Sequence, residues 1–482
     1  MAVQTRRPSS AAWGTLLDPQ RRDAAVAVAR DVAVRAGDPG RVSAALAVAR
    51  GQTRFPQSLR WEPYSIAAGE AGLAVMCAYL DACLPGAGWD VAGHGFLATA
   101  ARGAERTPQL PPALFGGLSG LAFTASLLSR GGTRYQRFLA SLDDTLAPQA
   151  SALGARLRSG REPGGVSAFD VISGASGVGA YLLRRDTHGV LPEMLSGLVA
   201  LAEPVEGPPR WHTPPHLLAD ESMARLYPWG NLNCGLAHGI PGPLALLALA
   251  LRNGVEVPGQ AEAIHRLAHW LLAHRADDEW GVNWPSAVPL PAPSSGWGPR
   301  RVHSVEALLP SSGGGPDAST ASRPSSPAPA AGPAAPGPSR GAWCYGSPGI
   351  ARALWLAGDA LDDDEPRELA VEAVHAVLRR PVAVRQIESP TFCHGVAGLL
   401  QIVLRFAHDT GVAAFREAAA ELVDQLLAAY EPERLLGYAS LEPGANPVDR
   451  AGLLDGAPGV AMVLLAAATG AEPTWDRLFL LS

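Results

Sequence analysis

The sequence predicts an all-α protein built from repeated helical units, and three observations carry that expectation. A G-x-x-G pair precedes an apolar segment seven times, apolar residues elsewhere recur at helical spacing, and the pairs return at intervals that suit two helices with their connections.

The seven pairs begin at Gly69, Gly117, Gly174, Gly239, Gly346, Gly395 and Gly456. Successive first glycines lie 48 to 65 residues apart, except for one interval of 107. A glycine permits a left-handed or closely packed backbone, and the second of each pair lets the following helix approach its neighbours. Pro241, Pro348 and Pro458 stand between glycines, where a fixed φ starts a helix. Stripes such as Leu399, Val403 and Phe406 share one helix face, and VHAVLRRPVAV has the same periodicity. Seven units can close into a ring or form an open solenoid.

The long interval has its own explanation. From Pro285 to Ser339 the chain is dominated by Pro, Gly, Ser and Ala, as in SSGGGPDASTASRPSSPAPAAGPAAPGPS. Such a segment lacks the donors and the apolar surface that a core needs. It is expected to be a flexible, low-complexity insertion (285–339) within a single domain spanning 1–482, with VHSVEALL at 302–309 as its one stretch able to fold locally.

Composition bounds the function. Of 482 residues, 47% are hydrophobic and 17% charged, enough apolar material for a large interior. A net charge of -6 and the lack of interleaved basic and aromatic residues argue against a nucleic-acid partner. Five cysteines are too few and too unevenly placed for a disulfide framework. With neither a signal-peptide pattern nor an apolar run of membrane-spanning length, a reducing cytoplasm is the expected compartment.

Chemistry concentrates at four turns. Cys344 in the fifth and Cys393 with His394 in the sixth occupy related places in neighbouring units, so distant positions can face one site. Two thiolates and an imidazole suit zinc and leave a fourth tetrahedral position; buried unligated cysteines and a Cys-His nucleophilic pair are the alternatives. His238, in the fourth turn, is placed to transfer a proton or to end a helix. Cys234 beside it suits local packing. Asp170, four residues before the third turn's first glycine, can orient a histidine or cap the turn. Arg340, four residues before Cys344, can stabilise an anionic carbonyl intermediate or be a solvated surface charge.

The ordered motifs FDVISGASG, NCGLAHGIPG, RGAWCYGSPG and CHGVAG resemble those of the lanthionine synthetase C-like family, the cyclases of lanthipeptide biosynthesis, across about Ser65 to Gly459. The resemblance implies an α/α toroid of seven outer and seven inner helices, and one Zn2+ per chain on Cys344, Cys393 and His394. It implies an acid/base role for His238, with Asp170, Arg340 and Tyr345 arranging substrate and stabilising or protonating the intermediate. The implied reaction adds peptide cysteine thiols to dehydroalanine or dehydrobutyrine, forming lanthionine or methyllanthionine without ATP or nicotinamide. The implied partners are a dehydrated precursor peptide, a separate dehydratase, and a membrane-associated synthetase and exporter assembly to which the chain would be peripheral. Intermolecular thiol addition and a noncatalytic peptide-binding scaffold are the rival functions. The long insertion departs from more compact members of the family and leaves these motifs intact.

Overall fold

The computed structural model describes residues 12–160, 165–292 and 339–482. Sixteen α-helices dominate these residues. Seven of them start at the glycine pairs: α3 (Glu70–Cys83), α5 (Leu118–Leu127), α7 (Ala175–Leu182), α10 (Pro241–Arg252), α12 (Ser347–Leu361), α14 (Val396–Thr410) and α16 (Ala457–Ala468). Each packs on a partner: α4 (Trp89–Glu105), α6 (Gln136–Ser159), α8 (Leu191–Leu201), α11 (Gln260–Ala273), α13 (Asp364–Arg379), α15 (Ala413–Ala428) and, for α16, α1 (Pro19–Ala36). The helices α2 (Pro39–Gln52) and α9 (Glu221–Leu226) lie outside this pairing. The seventh partner thus comes from the opposite end of the sequence.

Burial separates the two sets. In α16 every residue from Ala457 to Ala468 is buried, and in α14 every residue from Val396 to Ala407, including Leu399, Val403 and Phe406. The partners bury one stripe, as α1 does with Ala25, Ala29, Val32 and Ala36. A helix apolar all round is enclosed, whereas one with a single apolar stripe faces water on the other side. α1 is capped by Asp18, which accepts from the Arg21 N–H at 3.0 Å, and carries Pro19 in its first turn. Arg21 reaches Asp424 of α15 at 2.9 Å, and the Trp13 indole donates to Ala466 O at 3.0 Å.

The glycine turns are joined edge to edge by backbone hydrogen bonds. Ile66 N donates to Phe115 O, Phe115 N to Ile172 O, Val171 N to Ala237 O, Ala237 N to Cys344 O, Cys344 N to Cys393 O, Cys393 N to Leu454 O, and Leu454 N to Ala67 O, at 2.9 to 3.3 Å. The last of these returns to the first turn. Close approach explains most of the glycines: a Cβ on Gly398 would sit 2.0 Å from Phe392 O. Only Gly346, at φ 120°, also requires the backbone freedom of glycine. Pro241, Pro348 and Pro458 all stand in first helical turns.

The C-terminal segment packs beneath these turns. Phe479 is fully buried, with ring centroids 3.8 Å from Phe392, 5.0 Å from Trp343 and 5.6 Å from Phe115. The Trp343 indole donates to Phe479 O at 3.1 Å, and Arg405 grips the buried Asp476 at 2.7 Å.

Several features differ from the sequence expectation. The helical pattern of VHAVLRRPVAV ends at Arg379, because Pro381 disfavours helical geometry in the residue before it. Two short antiparallel pairs also occur: β1 (Asn231–Asn233) with β2 (Ala287–Pro289), and β3 (Ser440–Glu442) with β4 (Asn446–Val448). Of the segment 285–339, residues 293–338 lie outside the described residues, VHSVEALL among them, while β2 belongs to its first residues. Among the described residues no helix is long and apolar enough to cross a membrane.

Candidate metal centre and acid-base pair

The hydrogen bonds between turns bring the fifth and sixth together, and with them three soft or borderline donors. One ligand atom each of Cys344, Cys393 and His394 lies within 4.8 Å of the other two. Tetrahedral zinc with Zn–S near 2.3 Å and Zn–N near 2.0 Å separates its ligands by roughly 3.4–3.8 Å. The cluster fits such an ion with little movement.

Its electrostatics suit a cation. A hydrogen bond from Cys393, then His394 and the charge of Arg340, hold the Cys344 thiol down at about 5 despite its burial. The same contact with Cys344, reinforced by burial, pushes Cys393 upward. His394 is raised by its hydrogen bond to Cys344. Two sulfurs, one of them readily ionised, and an imidazole are donors that a divalent cation can take as their protons leave.

The third and fourth turns supply an acid-base pair. His238 Nδ1 lies 2.7 Å from Asp170 Oδ2. Asp170 is buried, and its other oxygen accepts the Ser173 and Gly174 N–H groups at 2.7 and 2.8 Å. It therefore caps its turn and orients the histidine at once. Because a carboxylate only accepts, Nδ1 carries the proton and Nε2 is left to exchange one. The rings of His238 and Tyr345 are 6.3 Å apart between centroids. Tyr345 directly follows Cys344, and Asp170, Cys344 and Cys393 all act on its phenol, so it lies between the acid-base pair and the sulfur cluster. Burial pushes the Tyr345 phenol up to about 12, so it remains a hydroxyl at neutral pH. Arg340 is half-buried, and its charge acts on Cys344, Cys393 and His394 together. All seven residues singled out from the sequence are brought to this region, and Cys234 is packed in the core.

Three residues were missed by sequence reasoning. Asn233 donates to the Tyr345 hydroxyl at 2.9 Å and accepts the Gly235 N–H at 2.9 Å. A Cβ on Gly235 would come within 2.5 Å of Cys344 O and 2.7 Å of the Tyr345 ring. Asp455 points Oδ1 at His394 Nδ1 from 3.6 Å, beyond hydrogen-bond length, and that oxygen is buried without a hydrogen-bond partner among the described residues. A signal for Asp455 was available. Like His238, Tyr345 and His394, it immediately precedes the first glycine of its turn.

Comparisons with known proteins agree on one family. The family model described as lanthionine synthetase C-like protein matches residues 60–480. The nisin biosynthesis protein NisC of Lactococcus lactis subsp. lactis is 24% identical over 304 residues, which is 62% of this chain and 62% of that protein's length. A solved structure of a nisin cyclase superposes with a TM-score of 0.66 at 20% identity, covering 88% of this chain and 93% of the other.

Proposed function

Because the chain belongs to the lanthionine synthetase C-like family, we propose that it is a zinc-dependent cyclase that closes thioether rings in a dehydrated peptide. The observation that carries this proposal is the Cys344, Cys393 and His394 cluster together with the His238–Asp170 pair, which Tyr345 links to it. Bound there by the two sulfurs and the imidazole, one zinc ion would supply Lewis-acid stabilisation of a substrate thiolate at its fourth position.

The chain's own residues account for the proton and the charge. In the reaction a thiol gives its proton to His238 Nε2, a C–S bond forms at the β-carbon of dehydroalanine or dehydrobutyrine, and the alkene electron pair moves toward the carbonyl. Arg340 is the group for that developing negative oxygen, joined by the Tyr345 hydroxyl that Asn233 orients. The α-carbon then takes a proton from His238 Nε2, while Asp170 stabilises the charged imidazole and holds it in place. Asp455 positions His394.

The order of helix neighbours, returning from α16 to α3, supports an α/α toroid of seven hairpins, with the turn-led helices inside and α1 completing the outer layer. We place residues 1–482 in one such domain, with 285–339 as an insertion. The proposed setting is cytoplasmic, with a precursor peptide dehydrated by a separate enzyme and a membrane-associated synthetase and exporter as further partners.

Mass spectrometry of a dehydrated precursor peptide tests the function. Ring closure leaves the mass unchanged and protects cysteines from alkylation, whereas addition of an external thiol raises the mass. Cysteines that stay reactive after incubation with the zinc-loaded protein would refute the cyclase. In His238→Ala, we expect cyclisation to slow by about 10²–10⁴-fold with zinc retained; an unchanged rate would remove His238 from the proton transfer. In Asp455→Asn, zinc affinity measured by chelator competition should weaken by about 10–100-fold in a folded chain. Unaltered affinity would leave Asp455 with no positioning role.

A further inference from the structure

Away from these turns, two histidines stand one helical turn apart on α11. His265 and His269 have ring centroids 4.1 Å apart. Asp363, from the turn between α12 and α13, joins them so that one ligand atom of each residue lies within 4.8 Å of the other two.

Packing does not account for this grouping. α11 spends Ala263, Ile264, Leu267, Ala268 and Leu271 on the core, leaving His265 exposed and His269 half-buried on another face. Neither ring makes a hydrogen bond among the described residues. Asp363, by contrast, is held firmly. Its N–H donates to Gly358 O at 2.8 Å, and its Oδ1 accepts the Glu365 N–H at 3.1 Å as the cap of α13. Arg367 is engaged by Asp362 and Asp364 at 3.2 and 2.6 Å, which leaves the Asp363 carboxylate to the histidines.

We propose that His265, His269 and Asp363 form a second metal site, for a divalent transition ion such as zinc, nickel or cobalt. Two histidines at i, i+4 present nitrogens on one side of a helix, and a carboxylate from a neighbouring element supplies an oxygen. With no thiolate, the donor set favours borderline divalent ions over soft monovalent copper. The site is remote from the sulfur cluster. α12 starts at the turn that carries Cys344 and ends beside Asp363, so its 15 residues separate the two sites by about 22 Å.

The location indicates what an ion there does. α11 and α12 belong to neighbouring hairpins, and residues 274–346 separate them in the sequence. A metal bridging α11 to the α12–α13 turn ties those hairpins together at the end remote from the glycine turns. Joining positions far apart in the sequence, in the folded state alone, is where a cross-link contributes most.

The test uses the full-length chain stripped of metal and titrated with Co2+, then with Zn2+ by calorimetry. Two equivalents are expected: one with the thiolate-to-cobalt charge-transfer absorption of the sulfur cluster, and a second with weaker d–d bands alone. His265→Ala with His269→Ala should lose the second equivalent and keep the first. Alanine is the best helix former, so α11 should survive, which circular dichroism checks. Asp363→Asn keeps the helix cap, since asparagine caps as well as aspartate, and should weaken the second equivalent. In Cys344→Ala with Cys393→Ala, zinc should still raise the melting temperature, an effect lost when both histidines are also replaced. Saturation of the wild-type chain at one equivalent would overturn the proposal, as would a second equivalent that survives in the double histidine variant.

Discussion

A Cys344→Ala chain should purify folded but with no zinc held at the sulfur cluster, and should leave every cysteine of a dehydrated peptide open to alkylation. Both halves of this expectation come from the geometry. The backbone at Cys344 is held without its thiol, since the N–H donates to Cys393 O at 3.2 Å and the carbonyl accepts the Ala237 N–H at 3.3 Å. Losing one buried sulfur there should cost the fold only about 1 kcal/mol, because a free cysteine packs as a small hydrophobe. The donor set loses far more. Cys344 is the sulfur held anionic by both of its neighbours, and Cys393 with His394 alone cannot hold a zinc ion with an open position. Metal analysis of Cys344→Ala in a His265→Ala, His269→Ala background, beside circular dichroism, gives the answer. An active Cys344→Ala protein that still carries zinc in that background would sink the proposed centre.

Phe479→Ala should have the second large effect, on stability and on metal affinity together. Emptying a fully buried phenylalanine site costs about 3–5 kcal/mol. This ring has a further consequence, because it packs on Phe392 and Trp343, the residues directly before Cys393 and Cys344. It is therefore the floor under both sulfurs. Thermal unfolding and chelator competition on one preparation separate the two effects. A large fall in melting temperature with zinc affinity unchanged would show that the floor does not set the sulfur positions.

The turns were legible because the constraint on them is local. A Cβ at Gly398 would collide with the carbonyl of Phe392, six residues away, and the repeated motif records such collisions. Aligning the turns was enough to bring Cys344, Cys393 and His394 to one place, and His238 to Asp170. Long-range packing left no such record. Nothing near Trp343 or Phe392 announces Phe479, and nothing in α16 announces that its partner is α1. Alternating apolar residues in α1 show a buried face without naming what covers it. β1 and β2 are three residues each and pair across more than fifty, too short for a period-2 pattern to stand out. The i, i+4 spacing of His265 and His269 was visible in the sequence, but their carboxylate neighbour comes from a different hairpin.

The pairing of α1 with α16 sets a timetable for synthesis. At about 5–20 residues per second, tens of seconds pass between the emergence of α1 and that of α16. Throughout that time the alanine and valine stripe of α1 has no partner, and the hydrogen bond from Leu454 to Ala67 has no donor. The floor under the sulfurs comes later still, with Phe479. A nascent chain that already displays both cysteines and His394 thus still lacks the packing beneath them, and assembly of the centre waits on the emergence of Phe479.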